Sequence, residues 1–190
     1  MRATVAGVLL AAGEGRRMGQ PKALLRRRDG TPLLSAGIAA LREGGCAPVV
    51  VVLGAAADHA RELVDESQAV VVEALDWSEG MAASLRAGLA AVAGADAVVV
   101  TLVDLPDVGA AAVRRVAKAA DTDPEGVLAR ATYGGEPGHP VLIGSAHWAA
   151  ITNEVFGDRG ARDYLDEHSP LLIPCDDLAT GRDVDSPVDL

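Results

Sequence analysis

Between residues 10 and 22 the chain reads Leu10-Ala11-Ala12-Gly13-Glu14-Gly15-Arg16-Arg17-Met18-Gly19-Gln20-Pro21-Lys22. Three glycines, two arginines and a lysine lie in one short loop. Small residues let main-chain N–H groups approach an anion, and basic side chains add charge that amides lack. The chemistry implied is a grip on phosphates, and we read the loop as one that holds a nucleoside triphosphate. Its spacing excludes two familiar loops. Gly19 falls one position too late after Gly13-x-Gly15 for the dinucleotide G-x-G-x-x-G pattern, and no Gly-Lys-Ser/Thr follows as in a P-loop. Three later stretches also carry reactive types: Gly80-Met81-x-x-Ser84, Asp104-Leu105-Pro106 and Gly138-His139-Pro140.

These groups must be positioned by an α/β scaffold. Apolar runs at Val5–Leu10, Val49–Leu53, Ala69–Glu73 and Asp96–Leu102 read as buried strands. Helical stretches alternate with them, near 32–43, 57–65, 84–92 and 108–120, and this order predicts a mostly parallel sheet with right-handed crossovers. Thr31 is the expected N-cap of the first helix, with Pro32 at its first position. The last third is less regular. Strands are expected at Val127–Ala131, Pro140–Ile143 and Leu171–Pro174, with helices near 146–154 and 161–168. In an open parallel sheet ligands bind beyond the carboxyl ends of the strands, which is where the glycine loop, Gly80, Asp104 and the Tyr133–Pro140 connection fall. No linker or repeat divides residues 1–190, so one domain is expected.

Composition narrows the ligand further. Acidic residues number 27 against 17 basic ones, a formal net charge of −10, which disfavours nucleic acid and anionic membranes. A basic loop on a negative protein therefore points to a specific small anion, while Arg26, Arg27 and Arg28 read as a solvated turn. The core must be aliphatic, because aromatic residues make up only 3%. Cys46 and Cys175 have neither metal nor disulfide-framework spacing. With no leader-like start and no run long enough to span a bilayer, a cytoplasmic protein is expected.

The run Leu-Ala-Ala-Gly-x-Gly-x-Arg-Met-Gly-x-x-Lys, residues 10–22, resembles the defining motif of the sugar-nucleotidyltransferase-like superfamily. More narrowly, it is similar to the molybdenum cofactor cytidylyltransferase and MobA-like branch. Gly80-Met81-x-x-Ser84-Leu85, Asp104-x-Pro106, Gly138-His139-Pro140, Gly157-Asp158-Arg159-Gly160-Ala161 and Asp183-Val184-Asp185-Ser186-Pro187 continue the resemblance across nearly the whole chain. It implies a Rossmann-like three-layer sandwich of nucleotidyltransferase type, with residues 127–190 supplying the acceptor side and a C-terminal metal segment. Lys22 and Arg17 would contact the triphosphate. Leu10, Ala11, Ala12, Gly13, Gly15 and Arg16 would lie along the nucleotide, and Gly80 and Ser84 beside base and ribose. Asp104 would bind Mg2+, with Asp185 as second ligand. That ion takes a few carboxylates plus phosphate oxygens and water.

The resemblance implies transfer of CMP from CTP to molybdopterin or its molybdenum form, with pyrophosphate released, and possible delivery to a molybdoenzyme. The Leu-Ala-Ala-Gly start and Gly138-His139-Pro140 favour cytidylyl transfer, whereas Leu105 replaces the Gln frequent in such relatives and leaves GTP open. Several residues have plainer readings. Asp104 could cap a turn, Ser84 a helix, and Trp77 could simply pack. Asp183 and Asp189 compete with Asp185, and His139 could contact the acceptor or only fix its loop. A transferase acting on another phosphorylated molecule, a cofactor-binding chaperone and a NAD-dependent oxidoreductase are the other readings, the last disfavoured by the glycine spacing.

Overall fold

The computed structural model describes residues 3–185. Its centre is a seven-stranded sheet. β1 (Val5–Ala11), β2 (Val49–Leu53), β3 (Val70–Glu73) and β4 (Ala97–Leu102) form a parallel set, joined by β5 (Leu128–Tyr133), β6 (Glu136–Gly144) and β7 (Leu171–Pro174). The spatial order is β3-β2-β1-β4-β6-β5-β7, and β6 alone runs against its neighbours. Six helices cover the faces: α1 (Leu33–Glu43), α2 (Ala57–Arg61), α3 (Met81–Ala91), α4 (Ala110–Ala117), α5 (Trp148–Glu154) and α6 (Arg162–Glu167).

Strand side chains alternate between two aliphatic cores, as a period of two requires. Leu9, Val51, Val99 and Leu142 meet Leu34, Ile38 and Val113 of α1 and α4 on one face. Val8, Val50, Val98 and Ile143 meet Leu85, Leu89, Ile151 and Leu165 of α3, α5 and α6 on the other. The expected three-layer α/β architecture is therefore present, and its core is aliphatic. Cys46 and Cys175 are free and buried, and desolvation raises both thiols, Cys46 to about 12. No helix of the described residues is long and apolar enough to cross a membrane.

Local expectations are corrected in three places. Thr31 caps nothing: α1 begins after Pro32 without a side-chain cap, and the Thr31 N–H donates to Asp29 Oδ1 at 2.9 Å in a turn. The helix after β2 is a short one, Ala57–Arg61, because the chain leaves it through successive turns to Val64. Between Tyr133 and His139 there is a tight hairpin, not an open connection. Gly134 and Gly135 take φ of 60° and 83°, the paired left-handed geometry of a two-residue hairpin turn, and so let β5 and β6 run to its edge.

After β7 the chain returns across the sheet end. Arg115 grips Asp177 and the Pro174 carbonyl, and Thr180 donates through its N–H and hydroxyl to Asp107, both at 2.6 Å. Gly181, at φ 66°, passes over the Tyr133 ring where a Cβ would stand 2.2 Å from Cδ2. The Val184 N–H then bonds the Asp104 carbonyl at 2.9 Å. This return path sets Asp185 beside the end of β4.

Candidate active site

The glycine loop is shaped by its own backbone. Gly15 and Gly19 occupy the left-handed region, and a Cβ on Gly15 would stand 2.0 Å from the Gln20 carbonyl oxygen, so the loop folds back on itself only with glycine there. Gly13 has open space around it. The backbone N–H groups of Gly13, Glu14 and Gly15 donate to no described residue, which leaves them directed to solvent or a ligand. Lys22 opens a short 3-10 turn at the loop's end.

A cleft of about 500 Å³ lies over this loop. Leu10, Ala11, Ala12, Gly13, Gly15 and Arg16 line it from β1 and the loop, Gly80 and Ser84 from α3 and its entry, and Lys22 and Asp104 from beneath. These ten expected residues are thus brought together. Ser84 is not a cap; it is the fourth residue of α3 and buried. Trp77 both lines the cleft and packs on the α3 core. Met81, Ser78 and Asp158 line it too, and the sequence reading did not assign them a role. The signal was available for Asp158, which sits in the Gly157–Ala161 segment already singled out.

Other expected residues are placed differently. His139 is partly buried on β6 and does not line the cleft. Asp183 is exposed. The Arg17 side chain and Asp189 lie outside what the structure describes. Arg27 is not a solvated turn residue; it donates to the Pro106 carbonyl and so ties its turn to the Asp104 loop.

Chemistry concentrates at Lys22. Its Nζ donates to Asp104 Oδ2 at 2.6 Å and to Asp185 Oδ1 at 3.2 Å. Burial is the largest influence on its pKa and lowers it, yet the hydrogen bonds and charges of Asp104 and then Asp185 together outweigh burial and raise it. Lys22 is therefore a fixed cation between two carboxylates. Asp104 Oδ1 is buried and has no hydrogen-bond partner, an expensive arrangement for a carboxylate oxygen unless a ligand completes it. No group of three or more His, Cys, Asp or Glu that could hold a metal exists among the described residues. Two carboxylates with an unsatisfied oxygen suit Mg2+, which draws its remaining ligands from phosphates and water.

The cleft wall depends on Gly80. At φ 113° and ψ −175° its backbone is open essentially to glycine alone, and a Cβ would stand 2.5 Å from the Gly157 carbonyl carbon and 2.6 Å from Asp158 Oδ1. Gly80→Ala is expected to lower stability by about 1–3 kcal/mol and to raise the KM for nucleotide as the 157–158 segment is displaced. Denaturant unfolding and steady-state kinetics read the two effects.

Comparisons with known proteins give the family and the fold. A family model described as MobA-like NTP transferase domain matches residues 7–171. A relative from Paenarthrobacter nicotinovorans, named nicotine blue oxidoreductase, is 38% identical over 192 residues, covering 96% of this chain and 92% of its own. A probable molybdenum cofactor guanylyltransferase from Opitutus terrae is 41% identical over 107 residues, 56% of this chain and 51% of its own. Among solved structures, Rv0371c from Mycobacterium tuberculosis H37Rv superposes with a TM-score of 0.81 at 28% identity, over 100% of this chain and 96% of that one. A structure of the same protein in complex with manganese gives a TM-score of 0.70 over 90% of this chain and 86% of that one.

Proposed function

Because the chain belongs to the MobA-like NTP transferase domain family, with the α/β nucleotidyltransferase fold of its structural neighbours, we propose that it transfers CMP from CTP to a phosphorylated acceptor of the molybdopterin class. The observation that carries this reading is the buried, unpartnered Asp104 oxygen beside Lys22, next to a loop with open N–H groups. An acceptor phosphate oxygen attacks the α-phosphorus of the nucleotide. The new P–O bond forms as the bond to the α–β bridging oxygen breaks, and pyrophosphate departs with the electron pair. No protein nucleophile takes part.

Each residue has a task in that displacement. The Gly13–Gly15 amides and Lys22 hold the triphosphate, where charge accumulates as the leaving group forms. Gly80, Ser84 and Trp77 flank the nucleoside. Asp104 and Asp185 would hold Mg2+, which when bound supplies Lewis-acid neutralisation of phosphoryl charge. A manganese complex of a structural neighbour supports a divalent-cation site of this kind.

Cytidylyl transfer rests on Leu10-Ala11-Ala12-Gly13 and Gly138-His139-Pro140, and the guanylyltransferase relative keeps GTP as the competing donor. Incubation with each NTP, Mg2+ and molybdopterin, with pyrophosphate followed, is expected to favour CTP. Turnover with GTP alone would sink the cytidylyl assignment and leave the transfer chemistry standing. Pterin binding without turnover with any NTP would make the protein a carrier.

A second reading has one specific support, the name of the P. nicotinovorans relative. Hydride-transfer chemistry leaves the Lys22–Asp104–Asp185 constellation without a task, and Gly19 departs from the dinucleotide spacing. NADH fluorescence titration decides. Tight NADH binding unaffected by Asp104→Asn would favour the oxidoreductase.

A further inference from the structure

A second gathering of positive charge lies at the same end of the sheet, on the side of Asp104 away from the glycine loop. Strand order sets this arrangement: the loop follows β1, Asp104 follows β4, and beyond them come β6 with His139 and β5 with Arg130. Val141 pairs with Val100 of β4 and with Arg130 of β5, and His139 lies two residues from Val141 toward the cleft end. Arg130 is only 5% exposed. One of its terminal nitrogens donates to Asp166 at 3.1 Å, while its Nε is buried with no partner. Arg162, exposed at the start of α6, forms no hydrogen bond or ion pair among the described residues.

The three groups sense one another. Burial first, and then Arg130 and Arg162, push the His139 imidazole down to about 4, so the ring is neutral near pH 7. Burial lowers the Arg130 pKa, and Arg162 lowers it further against the opposing pull of Asp166. Arg130 thus has one largely exposed carboxylate, Asp166, as its partner, Arg162 adds a second positive charge nearby, and the buried Nε–H of Arg130 is open. A buried guanidinium left in that state is unfavourable unless something completes it. In a chain of net charge −10, this is a local inversion of sign.

We propose that Arg130, Arg162 and His139 form an oxyanion subsite that receives the phosphate-class group of the acceptor and steadies it opposite the glycine loop. The proposal rests on the transferase reading and adds to it where the acceptor sits. Guanidinium forks match the geometry of a phosphomonoester and bind it through paired charge-assisted hydrogen bonds. A neutral imidazole retains one N–H to donate. The Tyr133 hydroxyl donates to the His139 carbonyl at 2.8 Å, which holds this segment in place. The positions also suit the reaction. In-line displacement needs the attacking oxygen on the face of the α-phosphorus away from pyrophosphate, and Asp104 lies between the triphosphate loop and this cluster.

The test uses the full chain and inorganic phosphate as probe. CTP and Mg2+ are kept saturating so that the glycine loop is already filled. The Arg130 Nε–H resonance, identified by its loss in Arg130→Lys, is expected to shift saturably as phosphate is added. Arg162→Gln, an exposed substitution whose fold is checked by an unchanged Tm, is expected to weaken phosphate binding about tenfold and to leave CTP affinity within about twofold. An Arg130 resonance that does not move, or equal phosphate affinity in wild type and Arg162→Gln, overturns the subsite. A parallel loss of CTP affinity assigns the cluster to the donor and also overturns it. If CTP itself fails to bind, the transferase reading falls, while the Arg130 shift still tests the subsite, because phosphate held only by the glycine loop leaves that resonance in place.

Discussion

Asp104→Asn is expected to reduce divalent-cation-dependent pyrophosphate release by about 10³-fold, equivalent to about 4 kcal/mol of transition-state stabilisation. The substitution keeps the shape of the side chain and its bond from Lys22, whose second partner, Asp185, is untouched. What it removes is the negative charge on a buried oxygen that nothing in the protein satisfies. Circular dichroism should therefore report a folded protein. Calorimetric titration with Mg2+ in the presence of nucleotide should report lost cation affinity. If activity survives with unchanged cation dependence, Asp104 is a turn residue and the metal lies elsewhere.

Lys22→Met carries the second large effect, a fall of about 10²–10³-fold in kcat/KM through loss of the cation at the phosphates being cleaved. It also has a less obvious consequence. Lys22 holds Asp104 Oδ2 at 2.6 Å and Asp185 Oδ1 at 3.2 Å, so its charge opposes a cation bound at the neighbouring, unpartnered Asp104 Oδ1. Without Lys22 the two carboxylates have lost the cation held between them. Added Mg2+ should then raise the Tm of Lys22→Met by more than it raises that of wild type, since a ligand stabilises the folded state in proportion to its affinity. Equal shifts would show that the aspartates do not share one cation. Lys22→Arg is expected to recover only part of the activity, because a planar fork replaces a compact point charge.

The parallel half of the sheet and the donor side of the cleft were legible in the sequence for a physical reason. A strand buried on both faces must be apolar throughout, so Val5–Leu10 and Val49–Leu53 announce themselves, and the loops after them face the ligand edge. Asp104 is legible because it stands two residues past such a strand, and Lys22 because it closes the glycine loop that follows another. The features that escaped depend on which partner a group meets. Thr31 has the type and position of a cap, yet no side-chain cap forms at α1 and the Thr31 N–H turns to Asp29. The Gly134–Gly135 hairpin was hidden because Pro137 argues against a strand, so the expected one began only at Pro140 although β6 starts at Glu136. Arg130 lies inside the expected strand Val127–Ala131; only the approach of α6, and of Asp166 on it, reveals what the guanidinium meets. Of Asp183 and Asp185, it is Asp185 that meets Lys22, placed there by the Val184 bond to the Asp104 carbonyl, which no local pattern encodes.

The C-terminal return has a consequence in time as well as in space. Lys22 and Asp185 are 163 residues apart. At synthesis rates of about 5–20 residues per second, roughly 8–33 s pass between the emergence of the first and the addition of the second. For about the second half of that interval a nascent chain can already contain the glycine loop, Lys22 and Asp104, 82 residues after Lys22, yet it lacks the second carboxylate. Until then Lys22 is without its second carboxylate partner.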